Sequence, residues 1–205
     1  MVDLDFIKLP VAIKTIRINR PRLKLYYPQV RGMRDLKLQR EINCQIYDLV
    51  YQLIEEQGFY ENPLTDITAY YEIKNNQRGI LSLTLINYAY AGGAHGLTLT
   101  KSLSFDIETA KVYQLADLFK EHSNYQEVLS EIIEEQIEER DIGVIDDFPG
   151  VREDQDYYLA DKCLVIYYQL YEFTPYVFGF PYFPISVYEI EDIIDLEGPL
   201  GQMLY

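Results

Sequence analysis

Ala91-Gly92-Gly93-Ala94-His95-Gly96 separates two strand-like runs, and its reading decides the fold. Before it, Ile80-Leu81-Ser82-Leu83-Thr84-Leu85-Ile86-Asn87-Tyr88 alternates apolar and polar residues over most of its length. After it, Leu97-Thr98-Leu99-Thr100-Lys101-Ser102-Leu103-Ser104-Phe105 alternates from end to end. Period-2 patterning marks half-buried strands. Glycine at such a junction permits a positive φ or a close backbone approach. Gly92, Gly93 and Gly96 are therefore read as structural turn residues. His95 is read first as hydrogen-bonding to nearby backbone, with ligand contact as the alternative. The segment lacks the spacing and the Lys of a phosphate loop, and a strand rather than a helix follows it. Phosphate and dinucleotide cradles are excluded on that ground.

Working outward, Thr65–Lys74 is strand-like and Asn75-Asn76-Gln77-Arg78-Gly79 is a turn signal, so a meander is expected around the glycine-rich junction. On the N-terminal side, Val11–Ile18 and Leu23–Tyr27 read as two strands, the second ended by Pro28. Leu38, Ile42, Ile46, Leu49 and Leu53 fall on one helical face, predicting a helix over 34–57 that Gly58 terminates. On the C-terminal side, Tyr125, Val128, Leu129, Ile132, Ile133 and Ile137 predict a second helix over 125–139, with its glutamates in solvent. Asp156–Phe173 holds one or two strands. Pro175–Pro184 is an aromatic loop, and Ile185–Ile190 is a last strand or short helix. The fold class expected is α+β: an antiparallel sheet meander with two long helices, in two small subdomains. The soft boundary lies near Asn62-Pro63. Residues 1–62 form the strand-strand-helix part of one subdomain, which extends to about 90 on a wider reading, and 63–205 form the other.

The chain of 205 residues has 18 Lys/Arg against 33 Asp/Glu, a net charge of −15. Residues 1–40 carry ten Lys/Arg and three Asp/Glu, and residues 41–205 carry eight and 30. An acidic body disfavours nucleic acid, whose binding rests on phosphate neutralisation. It suits a basic protein partner. No stretch is long and apolar enough to span a membrane. Residues 1–10 lack the apolar core of an export signal, so the chain as written reads as cytoplasmic, or as extracytoplasmic if such a segment has been removed. Oligomeric state is not legible.

Chemistry is sparse. His95 and His122 have no His or Cys at ligand spacing, so no metal and no cofactor is expected. Asp146, Asp147, Glu153, Asp154 and Asp156 crowd one loop without the EF-hand pattern, and read as a solvated loop. Cys44 and Cys163 are expected to be unbonded, one in a helix and one in a strand. No G-x-S-x-G is present, and no catalytic residue is assigned. The alternative is a small hydrolase with His95 as general base. Among the twenty tyrosines and nine phenylalanines, the loop aromatics Tyr176, Phe178, Phe180 and Tyr182, with His95, are the ligand-binding candidates.

Tyr90-Ala91-Gly92-Gly93-Ala94-His95-Gly96, Leu115-Ala116-Asp117-Leu118-Phe119 and Tyr171-Glu172-Phe173-Thr174-Pro175-Tyr176 with Gly179 occur in an order that resembles a bacterial family of uncharacterised domains. Members of that family form the extracellular part of RsiV-type lysozyme-sensing anti-sigma factors, or lie beside peptidoglycan deacetylase domains. The resemblance spans about residues 10–190. It implies a two-layer α+β fold and a non-catalytic binding or sensing module for an envelope component, either a cell-wall glycan or a protein.

Overall fold

The computed structural model describes residues 10–204. The reading of the first residues as lacking an export core lies outside that range for Met1–Leu9. The chain divides into two compact units between Val112 and Tyr113. The boundary expected near Asn62-Pro63 instead falls inside the first unit. Charge follows the division. Residues 1–112 hold 14 Lys/Arg and 12 Asp/Glu, whereas 113–205 hold four and 21, a net −17.

The first unit is a five-stranded sheet with one long helix. Strands β1 (Ala12–Arg20), β2 (Leu23–Arg31), β3 (Asp66–Gln77), β4 (Ile80–Tyr90) and β5 (Leu97–Asp106) lie in sequential order. Helix α1 (Leu36–Glu56) follows β2. Asp35 caps α1, its carboxylate accepting from the Lys37 and Leu38 N–H groups, and Gly58 at φ 69° ends it. Ile42, Ile46, Val50, Leu53 and Ile54 of α1 pack with Leu23 and Leu25 of β2 and Leu81, Leu83 and Leu85 of β4 in one core. The apolar spacing read from sequence thus produces the buried stripe.

Two features depart from the expected meander. First, β2 and β3 pair in parallel, and only from Leu23 to Leu25 against Ile67 to Ala69. The helix between them carries the chain back to the start of the sheet, as a parallel connection requires. Second, Pro28 does not end β2. It sits opposite Thr15 in a β1–β2 ladder of nine residue pairs. Val30, two residues on, turns its N–H and C=O away from β1 to the side chain of Asn43. By the alternation of an antiparallel ladder, the nitrogen of Pro28 also faces away from β1. The β2–β3 pairing has already stopped there, so proline forfeits no ladder bond.

The second unit holds α2 (Tyr125–Glu139), a three-stranded antiparallel sheet of β6 (Tyr157–Ala160), β7 (Cys163–Tyr167) and β8 (Tyr182–Ser186), and a short α3 (Pro199–Leu204). Helix α2 has the bounds read from sequence, with Leu129 and Ile133 buried and its glutamates exposed. α2 closes the free edge of β8. Gln136 Nε2 donates to the Pro184 carbonyl at 2.9 Å, and Arg140 donates to the Tyr182 carbonyl at 2.8 Å. These residues are i and i+4 on the helix, and the carbonyls are two apart on the strand, so the two repeats match. The core is aromatic: Tyr168, Phe173, Phe183 and Phe148 meet edge-on or stacked at 4.9–6.3 Å. The stretch read as a loop up to Pro184 already enters β8 at Tyr182. Among the described residues no helix is long and apolar enough to cross a membrane.

Candidate functional site

The β4–β5 connection in the first unit is built as its sequence requires. The ladder ends at Ala89 opposite Leu97, and Gly92 and Gly93 turn the chain at φ 84° and 130°. Gly96 serves a different need: a Cβ there would lie 2.4 Å from the Ala89 oxygen and 2.5 Å from the Tyr88 ring. The aromatic ring occupies the space a side chain would take. Tyr90 donates its hydroxyl hydrogen to the Gly93 carbonyl at 2.9 Å. His95 is exposed, and its Nδ1 lies 2.9 Å from the Gly96 oxygen. His122 sits at φ 62° with its side chain almost fully in solvent.

The aromatic candidates belong to the second unit. Pro175 enters a single 3-10 turn of Tyr176, Val177 and Phe178, and Gly179 leaves it at φ 66°. Val177 is 84% exposed, and Tyr176 and Phe178 are nearly half exposed. The turn is fixed on both sides. The Tyr176 ring stacks on Tyr171 at 5.5 Å. The Phe178 ring lies against Gly143, where a Cβ would meet it at 2.9 Å. Phe180 and Tyr182 are half-buried and 6.3 Å apart, and Tyr182 reaches Tyr158 and Tyr167 in the sheet. The loop aromatics thus split. Tyr176 and Phe178 face solvent, while Tyr182 is part of the strand.

Sequence reading missed two residues of this surface. Val144 and Ile145 follow Gly143 and are each half exposed. The Ile145 N–H donates to the Phe173 carbonyl at 2.9 Å, which brings this stretch to the aromatic segment. Their neighbours Asp146 and Asp147 had marked the stretch as a solvated loop. The result is one apolar surface of Val144, Ile145, Tyr171, Tyr176, Val177 and Phe178 in a unit of net −17.

Beneath it, Glu172 accepts from Arg152 and from the Gln169 N–H at 2.7 Å. Tyr171, a non-glycine residue at φ 66°, is held in that conformation by the bonds on either side of it. Tyr168 donates to the Gly150 carbonyl, and burial raises its phenol well above the ordinary value. The acidic loop is partly used by the fold: Asp156 accepts from Gln169 Nε2 at 2.8 Å, and Asp154 lies 3.4 Å from the Arg152 guanidinium. Among the described residues no three His, Cys, Asp or Glu side chains gather as a metal ion would require.

Comparison with known proteins follows the division into units. Residues 116–188, within the second unit, match the family model described as a protein of unknown function, DUF3298. Residues 20–98, within the first, match the model described as Deacetylase PdaC. The crystal structure of a DUF3298 family member from Bacteroides fragilis NCTC 9343 is similar at a TM-score of 0.71 and 16% identity, over 96% of this chain and 99% of that one. A DUF3298 family protein from Pseudomonas aeruginosa PAO1 is similar at 0.70 and 12% identity, over 91% and 95%. At these identities the likeness is one of fold. No curated protein matches the chain.

Proposed function

We propose that this chain is a non-catalytic binding module of the bacterial envelope, acting outside the cytoplasm on a protein or a glycan. The observation that carries the reading is the exposed apolar surface of the second unit. Soluble proteins seldom keep such side chains together in solvent without a use for them. The rings are pre-set by Pro175, by the Gly143 contact and by the Tyr171 stack, which lowers the ordering cost of binding. The two matched family models and the resemblance of the Gly-Gly-Ala-His and Tyr-Glu-x-x-Pro-Tyr patterns to an envelope family support the setting.

With a net −17 around this surface, a protein partner would be basic, and its binding would weaken from low to high salt. Binding of a neutral glycan would change little. Calorimetry of the full chain against peptidoglycan fragments and lysozyme tests the reading. Binding of either is expected, with a loss of about tenfold or more (~1.4 kcal/mol) when Val177→Ser and Phe178→Ser are combined. No binding, or binding indifferent to that variant, overturns it. Turnover of a fragment, abolished by His95→Ala, would replace it with the hydrolase reading.

A further inference from the structure

We propose that the sheet face of the first unit opposite α1 binds an acidic polysaccharide, with Tyr26, Tyr70 and Tyr88 as stacking platforms and Arg17 and Lys24 as the anion contacts. The proposal goes beyond the module reading, since it concerns the other unit and other residues.

Strand register places the five side chains on one face. Arg17 is directly opposite Tyr26, and Lys24 is beside Thr68, which is itself opposite Tyr88. Tyr26 and Tyr70 are each two residues further along adjacent parallel strands, so they return to the same face. That face points away from α1. Asn87, the neighbour of Tyr88 on the other face, donates to the Leu53 carbonyl of the helix. Tyr26, Tyr70 and Tyr88 are 40%, 46% and 38% exposed. Arg17 and Lys24 are exposed as well.

The side chains of Arg17, Lys24, Tyr26 and Tyr70 have no hydrogen bond, ion pair or ring contact among the described residues. Their charged and phenolic heads stand in solvent, where a ligand can reach them. Here two cations and two phenols are left side by side. Tyr88 differs, because Gly96 seats its ring. The glycine-rich turn therefore also positions a platform.

Charge selects the ligand. Residues 12–31, the whole β1–β2 hairpin, hold six Lys/Arg and no Asp/Glu. The acids on the same face are Asp66, Glu72 and, at the far end of β5, Asp106; Glu72 is paired with Lys74, and Asp106 accepts from the Glu108 N–H. An anion is favoured beside Arg17 and Lys24. A flat tyrosine ring offers an apolar surface to the C–H face of a pyranose and a hydroxyl to its rim. Neighbouring strands lie about 4.8 Å apart, close to the length of one sugar in an extended chain. A nucleic acid also stacks on tyrosine, but it carries a phosphate on every residue and meets a chain of net −15. A polysaccharide with sparser carboxylates or phosphates meets less repulsion.

Titration calorimetry of the full chain against hyaluronan oligosaccharides, whose carboxylates fall on alternate sugars, a phosphodiester-linked glycan, cellohexaose and oligothymidylate tests the proposal. Binding of one or both acidic glycans is expected, tighter than that of the other two. Tyr26→Ala with Tyr70→Ala should weaken it by about tenfold or more, while Tyr26→Phe with Tyr70→Phe should hold it within about threefold. Arg17→Ala with Lys24→Ala should weaken it and remove most of its salt dependence. All three pairs change exposed side chains, and unchanged melting temperatures identify folded variants. Binding of neither acidic glycan, tighter binding of cellohexaose or oligothymidylate, or indifference to the alanine pairs overturns it. The Val177→Ser, Phe178→Ser variant should leave acidic-glycan binding unchanged. If it alone abolishes that binding, the second-unit reading stands and this one falls.

Discussion

The side-chain amide of Asn43 holds both main-chain groups of Val30: its Oδ1 accepts from the Val30 N–H at 2.7 Å, and its Nδ2 donates to the Val30 carbonyl at 2.9 Å. A carboxamide here does what a neighbouring strand does elsewhere. Asn76 on β3 repeats the device with Val11, at 3.0 and 2.8 Å. Asn43 satisfies backbone of β2 where it has parted from β3, and Asn76 satisfies that of Val11, just before β1.

Asn43→Ala should destabilise the first unit by about 1–3 kcal/mol, because it leaves a buried residue's donor and acceptor short of partners. Asn43→Asp keeps the acceptor, loses the donor and sets a carboxylate against a carbonyl, so it should not rescue. Urea unfolding followed by circular dichroism should show the midpoint falling with the slope unchanged. An unaltered midpoint for Asn43→Ala would refute the role.

Gly96→Ala should cost about 1–3 kcal/mol, since its Cβ meets a backbone oxygen at 2.4 Å and the Tyr88 ring. His95→Ala should cost less than about 1 kcal/mol, because the residue is exposed and its Nδ1 lies against the adjacent Gly96 carbonyl. Thermal melts of the two variants rank them. The reverse order would give His95 a larger structural part than its geometry supports.

The two thiols should react at different rates. Cys44 is exposed on α1, whereas Cys163 in β7 is half-buried, and burial raises its thiol above the ordinary value. At pH 8, iodoacetamide should label Cys44 first, as read by peptide mass. Equal rates would contradict the environment of Cys163.

Alkaline stability should depend on Tyr168. Its phenol is neutral and hydrogen-bonded in the fold, with a value raised above that of the unfolded chain, about 10. The stabilisation is therefore complete below pH 10. It declines as pH rises from there toward the folded value, because only the unfolded chain ionises in that window. Tyr168→Phe should lower stability by about 1 kcal/mol at pH 8 and flatten the decline above pH 10. Parallel declines for the two proteins would refute this.

Local periodicity carried much of the fold. The stripe from Leu38 to Leu53 and the one from Tyr125 to Ile137 are near-neighbour patterns, and both became helices close to their expected bounds. The β3–β4–β5 meander was legible for the same reason. Long-range pairing was not. Nothing in Leu23–Leu25 says that Ile67–Ala69 will lie beside it, and Pro28 reads as a stop until its nitrogen is known to face an unpaired side. The boundary at 112/113 was hidden because β3–β5 join the N-terminal strands through long-range pairing, and the change of charge there becomes visible only once that pairing is known. At the apolar surface, Tyr176 and Phe178 were visible as loop aromatics. Val144 and Ile145, about thirty residues upstream, reach it through a glycine–ring contact and one backbone bond, neither of which leaves a sequence signature.

The brief β2–β3 junction has a consequence for how the first unit opens. Nine residue pairs join β1 to β2, but only three join β2 to β3; beyond them the Asn43 pin ties β2 to α1, and the Asn76 pin ties Val11, just before β1, to β3. The hairpin should peel away as one cooperative body before β3–β5 come apart. In native-state hydrogen exchange, its amides would then share one opening free energy, below that of the β3–β4 ladder.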